Sequence, residues 1–204
     1  KGFSTTNHPG AQGEGLLLAE KVGAAFTDIG EIQIHPTVSV KNGHLISESM
    51  RARGGFLVNL DGNRFVNELR TRAEVSQETL KQKEGKAYLL YDSSIFKSNK
   101  LSRGYYENGY SVKGDDVEQL AAAIGVPPAN LRKAFEQYWA AYDAKKDEAF
   151  GRPEMLIRMD QAPFYAAKVT PGLHHTMGGV TINTRAEVQD KEGRSIPALF
   201  AAGE

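Results

Sequence analysis

Strand-like runs at both ends of the chain enclose a helical middle, and this order constrains the fold more than any single motif. The run 32–34 is short and β-branched, whereas the run 129–148 carries its apolar residues at steps of three and four. After the helical middle, strand-like runs return at 165–169, 179–182 and 198–202, separated by Gly, Asn and Asp. This arrangement predicts an α+β fold.

Turn and helix signals predict the remaining elements. Asp61-Gly62 is typical of a type I′ turn and predicts a β-hairpin between 56–59 and 64–67. Pro127-Pro128 precedes the longest predicted helix. Shorter helices are predicted at 13–26, 45–53, 73–84 and 117–124, and a further strand at 87–91.

Composition excludes several classes of function. Among 204 residues, 25 Lys and Arg balance 25 Asp and Glu, so the chain offers no electrostatic footprint for nucleic acid. The absence of Cys excludes a disulfide framework, a thiolate nucleophile and cysteine-bound zinc or iron–sulfur centres. Any redox chemistry therefore needs a cofactor. No apolar run is long enough to predict a membrane span in this segment.

All five His lie outside the helical middle, and three of them are candidates for a site. His35 follows Ile-Gln-Ile and precedes Pro36, which predicts a strand end with the imidazole facing a cleft; a structural role is the alternative. His174 and His175 are predicted in a loop poor in charge. Adjacent His cannot readily ligate one metal from a regular element, and no HExxH spacing accompanies them. We therefore predict no metal site.

Charged and Gly-rich segments supply further candidates. Glu48 and Arg51 are three residues apart on a predicted helix and share one face, where a surface ion pair is the alternative to a functional role. Arg72, after the predicted hairpin, would by itself be a solvated side chain. The charge-dense run 143–148 predicts a solvated helix end. The run 10–15 has the order GxxGxG, so no complete dinucleotide site is predicted.

Several motifs, in order along nearly the whole chain, are found together in one family. They are Thr6-Asn7-His8-Pro9-Gly10-Ala11, Gly13-Glu14-Gly15, Ile32-Gln33-Ile34-His35-Pro36-Thr37, Ser47-Glu48 with Arg51, Leu57-Val58-Asn59 with Asp61-Gly62, Arg64-Phe65-Val66-Asn67-Glu68, Arg72, Thr170-Pro171-Gly172, His174-His175-Thr176-Met177-Gly178-Gly179 and Ala202-Gly203-Glu204. With these motifs the chain resembles the flavoprotein subunit of fumarate reductases and succinate dehydrogenases, within it the soluble branch of flavocytochrome c fumarate reductases.

The resemblance implies an FAD-dependent reductase of an activated C=C bond, with fumarate as the expected substrate. Arg72 matches the family's proton donor, and Glu48 and Arg51 match the relay that reprotonates it. His35 and Ser47, beside Glu48, match groups that bind one substrate carboxylate, and His174 matches a ligand of the other.

The resemblance also implies cofactor contacts and a domain division. Glu14, His175 and Glu204 match positions that contact FAD. Residues 35–170 match the capping (clamp) domain, and 1–34 and 171–204 match segments of the FAD domain. The family's GxGxxG half is absent, so this segment alone is not expected to hold FAD or to be active. An electron-donor module would lie outside it.

Three positions depart from the family pattern and bear on the substrate. Ser47 stands where the family usually has Thr, Glu14 where it has Asp, and Leu45 where fumarate reductases commonly have Met. The Ser hydroxyl preserves the carboxylate-binding group, whereas the Leu leaves other substrates open. The alternatives are a reductase of another 2-enoate, such as urocanate or a methacrylate-like acid, or a non-enzymatic domain that binds a small carboxylate.

Overall fold

The computed structural model describes residues 2–203, and the chain forms two compact units. The large unit comprises His35–Gly172 and the described residues before Thr5; the small unit comprises Thr5–Ile34 and the described residues from Leu173 onward. Both helices and strands are present, which confirms the mixed helix and sheet composition of the predicted α+β class. The assignment of segments to a capping domain and an FAD domain stays a prediction.

The secondary structure comprises seven α-helices and nine strands within the described residues. The helices are α1 Glu14–Lys21, α2 Ser49–Ala52, α3 Arg72–Leu80, α4 Ser93–Ser98, α5 Lys100–Glu107, α6 Val117–Ile124 and α7 Pro128–Asp143. The strands are β1 Phe26–Thr27, β2 Ile32–Ser39, β3 Phe56–Val58, β4 Ala87–Asp92, β5 Ser111–Gly114, β6 Phe164–Thr176, β7 Gly179–Val180, β8 Glu187–Gln189 and β9 Ser195–Phe200.

A five-stranded sheet organises the large unit. Its strand order is β2-β6-β4-β3, and β5 also pairs with β6. Strand β4 is antiparallel to β6, with Ala87 opposite Val169 and Asp92 opposite Phe164. All six residues of β4 are buried, because the strand lies inside the sheet and is covered on both faces.

Helix α7 has five buried residues, more than any other helix among the described residues. Leu131, Phe135 and Tyr138 are buried at helical spacing, as their periodicity predicts. The ring of Phe56 in β3 stacks on Tyr138 with a centroid distance of 4.8 Å and meets Phe135 edge-on at 5.1 Å. This aromatic packing holds α7 beside the segment that connects α2 to β3.

The small unit contains two short strand pairs. Strand β1 pairs with β7 and β8 pairs with β9, both antiparallel. Ala19 of α1, Ala24 and Val188 form its small buried cluster. The N-terminal segment joins this unit through a bridge between Thr5 and Leu173.

One prediction about the strands is wrong, and another is confirmed only in part. The segment with His174 and His175 is not a loop but the end of β6, because that strand continues from the large unit to Thr176. The predicted hairpin contributes only one bridge, between Val58 and Arg64. Strand β3 instead pairs with β4, with Leu57 opposite Leu89. Burial on both faces of β4 favours that partner over a two-stranded ribbon.

The predictions for His35 and for the run 143–148 also need correction. Strand β2 continues through Pro36 to Ser39, so His35 lies inside the strand and is only 1% exposed rather than projecting from its end. Proline is tolerated there because β2 lies at one end of the strand order. Helix α7 ends at Asp143, and Asp147 is buried rather than solvated.

Helices α4 and α5 and strand β5 lie in a region where periodicity predicted no element. Their helix starts depend on local caps: the Asp92 carboxylate accepts from the amides of Ser94 and Ile95 at 3.0 and 3.1 Å, and the Asn99 side chain accepts from Leu101 at 3.1 Å. Such caps satisfy the amide groups that a short helix leaves unpaired.

We expect Gly114→Ala to destabilise the protein by about 1–3 kcal/mol, the usual cost of overpacking. Gly114 ends β5, and a Cβ there would overlap the backbone of Leu120 in α6. The matched control is Gly104→Ala in α5, where nothing lies closer than 4.0 Å to the added carbon. That change should stabilise the protein by about 0.4–1 kcal/mol. Denaturant unfolding of both variants tests the contrast, and equal effects would contradict it.

Candidate active site

The Glu48 carboxylate lies between two arginine side chains in the large unit. Oε2 of Glu48 accepts from Nη2 and Nε of Arg72 at 2.7 and 3.2 Å. Oε1 accepts from Nη2 of Arg51 at 3.4 Å. The Glu48 side chain is 45% exposed and Arg72 is 30% exposed, whereas Arg51 is only 2% exposed. The carboxylate therefore bridges a buried guanidinium and an accessible one.

Local backbone structure explains how these three residues come together. Glu48 is the N-cap of the four-residue helix α2, so Arg51 follows it by one turn. The predicted helix 45–53 is shorter than expected because the amide of Ile46 donates to Thr37 in β2 at 2.9 Å. Arg72 is the first residue of α3, directly after the N-cap Thr71, which forms a capping box with Glu74. The start of α3 thus faces the start of α2.

The pKa of the Glu48 carboxyl lies below its ordinary value of 4.5. The main cause is the hydrogen bond from Arg72, which burial partly opposes; the charges of Arg51, Arg72 and His35 add to the lowering. Glu48 is consequently ionised at neutral pH, with an arginine hydrogen-bonded to each of its two oxygens.

Arg51 is a buried guanidinium whose proton is held less tightly than usual. Burial lowers the pKa of Arg51 to about 10; Glu48 and Glu68 oppose this shift, and the like charges of Arg72 and Arg152 add to it. Nη1 of Arg51 donates to the carbonyl oxygen of Glu68 at 2.6 Å. Its Nε is buried with no hydrogen-bond partner among residues 2–203.

Two further predicted substrate ligands lie in the same unit. His35 is close enough to Glu48 for a positive imidazole charge to lower the pKa of that carboxyl, and its Nδ1 accepts from the amide of Thr37 at 3.3 Å. The Ser47 amide donates to the hydroxyl of Tyr105 at 2.9 Å, and the two hydroxyls of Ser47 and Ser49 are 2.9 Å apart. Tyr105 in α5 therefore holds the Ser47 backbone in place.

The other predicted ligands belong to the small unit. Nδ1 of His174 lies 2.8 Å from the hydroxyl of Thr6. The neighbouring His175 donates from Nδ1 to the carbonyl oxygen of Thr176 at 2.5 Å. Glu14 is an exposed residue at the start of α1, and Glu204 lies outside the described residues.

The small unit offers groups that fit part of a dinucleotide cofactor. Gly13, at φ 79°, turns the chain into α1, and a Cβ at Gly13 or Gly15 would meet no atom within 4 Å. An exposed carboxylate such as that of Glu14 can accept hydrogen bonds from hydroxyl groups such as those of a ribose. The contacts of Glu14 and His175 with FAD stay predictions.

A buried cluster of four charged residues lies next to Arg51. The sequence patterns assign these residues no functional role. They are Arg64, Glu68, Asp147 and Arg152, all with side chains at most 2% exposed. Arg64 and Glu68 occur in one of the family motifs, which gives them no individual role. Their i, i+4 spacing is a weak signal for a pair, whereas no local pattern connects Glu68 to Arg152, 84 residues later.

Two features are absent from the part of the chain that the structure describes. No group of three or more His, Cys, Asp or Glu side chains there could hold a metal ion. No helix among these residues is both long and apolar enough to cross a membrane.

Comparison with known proteins identifies the family. The family model described as FAD binding domain matches residues 1–204, and the chain belongs to this family. It is 46% identical over its whole length to a probable fumarate reductase, Ifc3, of Shewanella frigidimarina and 43% identical to an NADH:fumarate oxidoreductase of Klebsiella pneumoniae. A solved structure of the open conformation of a flavocytochrome c3 fumarate reductase matches the whole chain with a TM-score of 0.78 and 46% identity.

These matches confirm two predictions: the chain is of the fumarate reductase flavoprotein type, and the cofactor of this family is FAD. The chain covers 35% of the Shewanella relative, 22% of the Klebsiella relative and 36% of the solved flavocytochrome chain. It therefore spans between about a fifth and somewhat more than a third of these three proteins.

More distant relatives carry other substrates in their names. The chain is 35% identical to an NADH:acrylate oxidoreductase of Vibrio harveyi and covers 21% of it. It is 30% identical to a urocanate reductase of Eggerthella lenta and covers 34% of it. The family of relatives therefore includes proteins named for three different unsaturated carboxylic acids.

The lowered pKa of Glu48 predicts a pH-dependent contribution to stability. An acid whose pKa is lowered by folding stabilises the protein fully above its ordinary pKa and loses this contribution as pH falls through the lowered value. The advantage of wild type over Glu48→Gln should thus be constant above about pH 4.5 and shrink below it. Thermal unfolding across pH tests this.

The Arg72→Met background is the control for that measurement. Because Arg72 is the main cause of the lowered pKa, the effect of Glu48→Gln should vary less with pH when Arg72 is absent. A pH dependence of equal size in both backgrounds would contradict the assigned cause.

Proposed function

We propose that the full-length protein is an FAD-dependent reductase of the C=C bond of a small unsaturated carboxylic acid, with fumarate as its substrate and succinate as its product. The observation that carries the proposal is the direct contact of Glu48 with both Arg72 and Arg51. A surface ion pair needs only one arginine. A carboxylate between a buried and an accessible guanidinium suits a path for protons.

Bound FAD, in its two-electron-reduced form, would supply a hydride to one alkene carbon. Arg72 would then donate a proton from its guanidinium to the other carbon, so that the π bond of the C=C unit is replaced by two C–H bonds and a C–C single bond remains. Guanidinium is an unusual acid because it normally stays protonated. The carbanion that develops during hydride addition is far more basic, so the transfer is downhill, and the fixed positive charge stabilises that carbanion.

Glu48 and Arg51 would return a proton to Arg72 after each turnover. The Glu48 carboxylate accepts from Arg72 at 2.7 Å, which is within the distance needed for direct proton transfer. On its other oxygen the buried Arg51, with its lowered pKa, is a better proton donor than an exposed arginine. The 3.4 Å separation between Arg51 and Glu48 would have to shorten during transfer.

Three polar groups would hold the substrate carboxylates. Ser47 directly precedes Glu48, and the charge of His35 acts on the same carboxyl. These two side chains would bind one substrate carboxylate, and His174 would bind the other. Charge-assisted hydrogen bonds to both ends of a dicarboxylate fix its orientation and lower the barrier through positioning. Thr6 would orient His174 through the contact at 2.8 Å.

The remaining assignments follow the family pattern. Residues 35–170 would form the capping domain, and 1–34 and 171–204 would contribute to the FAD domain, where Glu14, His175 and Glu204 would contact the cofactor. Electrons would reach FAD from a donor module outside this segment.

Two other substrates are supported by relatives named for acrylate and urocanate reduction. Leu45 is a position at which the chain departs from the common fumarate reductase pattern. Steady-state rates of the full-length protein with fumarate, urocanate and acrylates decide among them. A non-enzymatic carboxylate-binding domain is less consistent with the chain, because such a domain has no use for two arginines on one carboxylate.

The proton donor is tested by Arg72→Ala in the full-length enzyme. We expect kcat for alkene reduction to be almost abolished, while reduction of the bound flavin by an artificial donor stays intact. Arg72→Lys keeps a charge but loses the planar fork and some reach, so it should restore only a small part of the activity. Retention of a tenth of wild-type kcat by Arg72→Ala, a barrier change of about 1.4 kcal/mol or less, would exclude Arg72 as the acid.

The adjacent imidazoles are tested by His174→Ala and His175→Ala as a matched pair. The first should raise KM for a dicarboxylate by the loss of a hydrogen bond to a charged group, about 1.5–3 kcal/mol, with flavin content unchanged. The second should lower flavin content. If the two effects are exchanged, the two assignments are exchanged as well.

A further inference from the structure

Buried charges continue from the Glu48 site into the interior of the large unit. Both oxygens of the Glu68 carboxylate accept from Arg64, at 2.8 and 2.9 Å, and Oε2 also accepts from Nη1 of Arg152 at 3.0 Å. Arg64 reaches Asp147 at 2.8 Å. Three of the four side chains are at most 1% exposed, and Asp147 is 2% exposed. A buried cluster whose charged groups are all hydrogen-bonded is rigid.

Arg152 connects this cluster to the backbone of α2 and the turn after it. Nη2 of Arg152 donates to the carbonyl oxygen of Arg51 at 2.7 Å, and Nη1 donates to the carbonyl oxygen of Gly55 at 3.0 Å. Its Nε donates to the carbonyl oxygen of Glu154 at 2.9 Å. One guanidinium thereby fixes the end of α2 relative to Glu68.

Glu68 completes the connection from the side-chain end of Arg51. The backbone carbonyl oxygen of Glu68 accepts from Nη1 of Arg51 at 2.6 Å, while the carboxylate of the same residue holds Arg152. The amide of Leu57 in β3 also donates to that carboxylate, at 3.2 Å. The backbone carbonyl of Arg51 is therefore held by Arg152, and its guanidinium is held by Glu68. Arg152 and Glu68 are in turn hydrogen-bonded to each other.

We propose that Arg152 and Glu68 are positioning residues of the proton relay, which aim the Arg51 guanidinium at the Glu48 carboxylate by holding Arg51 at its backbone and at its Nη1. The proposal rests on the function proposed above. Both residues contact Arg51 directly, Glu68 at its guanidinium and Arg152 at its backbone, so each acts through Arg51.

The charge balance supports this role. Arg51, Arg64 and Arg152 bring three positive charges into a region with two buried carboxylates, Glu68 and Asp147. Glu48 is the next carboxylate toward the surface, so the surplus positive charge faces it. The positive charge of Arg152 weakens the hold of Arg51 on its proton, in the direction that donation to Glu48 requires.

The test compares Arg152→Lys with Asp147→Asn in the full-length, flavin-loaded enzyme. Lysine keeps the charge but has no planar fork, so it cannot reach the carbonyl oxygens of Arg51 and Gly55 and the Glu68 carboxylate together. The control, Asp147→Asn, keeps the size of a buried side chain that contacts neither Arg51 nor Glu48. Measurements are kcat per bound flavin, KM, melting temperature and the solvent deuterium isotope effect on kcat.

For Arg152→Lys we expect kcat to fall by about tenfold to a hundredfold, the effect of a displaced catalytic group, with KM unchanged. The solvent isotope effect should rise, since proton delivery then limits turnover. A merely destabilised enzyme would lose active molecules without this rise. In Asp147→Asn the isotope effect should stay at the wild-type value.

The proposal is overturned if the kcat of Arg152→Lys equals that of wild type. It is also overturned if kcat falls without a change in the solvent isotope effect, or if kcat falls by the same factor in Asp147→Asn. If Arg152→Lys does not accumulate with flavin, Glu68→Gln decides by the same criteria, because it weakens the hold on Arg152 and retains the backbone carbonyl. Failure of the proposed function is distinguishable: Arg72→Ala would then stay active whatever Arg152→Lys does.

Discussion

The Glu68 carboxylate is a negative charge without access to water, and the large unit is arranged to satisfy it. Four N–H groups donate to its two oxygens: two from Arg64, one from Arg152 and the amide of Leu57. Breaking a buried pair from one side commonly costs about 3–5 kcal/mol, roughly a third or more of a typical domain's stability. The segments that carry these donors are therefore strongly constrained in position.

That constraint links segments far apart in the chain. Arg152 follows α7 by only a few residues, and its guanidinium reaches back to the backbone at Arg51 and Gly55. Gly55 is required beneath it, because a Cβ there would lie 2.7 Å from the carbonyl oxygen of Met50. The aromatic packing of Tyr138 on Phe56 holds the same segments together. Apolar packing and the buried ion cluster thus both fix the end of α2 in the same position.

Two carboxylates pair with arginines on the way from the interior to the surface. Glu68 holds Arg64 and Arg152, and Glu48 lies between Arg51 and Arg72, the partly accessible one. Burial lowers the pKa of Arg51 to about 10, while hydrogen bonding from Arg72 lowers the pKa of Glu48. Desolvation acts on the buried arginine, and direct contact acts on the exposed carboxyl. A buried guanidinium with a lowered pKa therefore lies beside an ionised carboxylate, which is the order that the proposed reprotonation of Arg72 requires.

The sequence by itself determined the elements whose signals are local. The periodicity of 129–148 predicted α7, and its buried Leu131, Phe135 and Tyr138 follow from that pattern. The i, i+3 spacing of Glu48 and Arg51 predicted their contact, because one helical turn suffices to make it. The family motifs named Arg72, which no spacing alone distinguishes from a solvated arginine.

Only the tertiary structure decided the features that depend on distant partners. His174 and His175 extend a strand because β6 has sheet neighbours, and β3 leaves the predicted hairpin because β4 offers a fully buried partner. The burial of Asp147 depends on Arg64, 83 residues away, and that of Arg152 on Glu68. From the sequence alone a charged residue is predicted to be solvated, because only the folded chain places an opposite charge beside it in the interior.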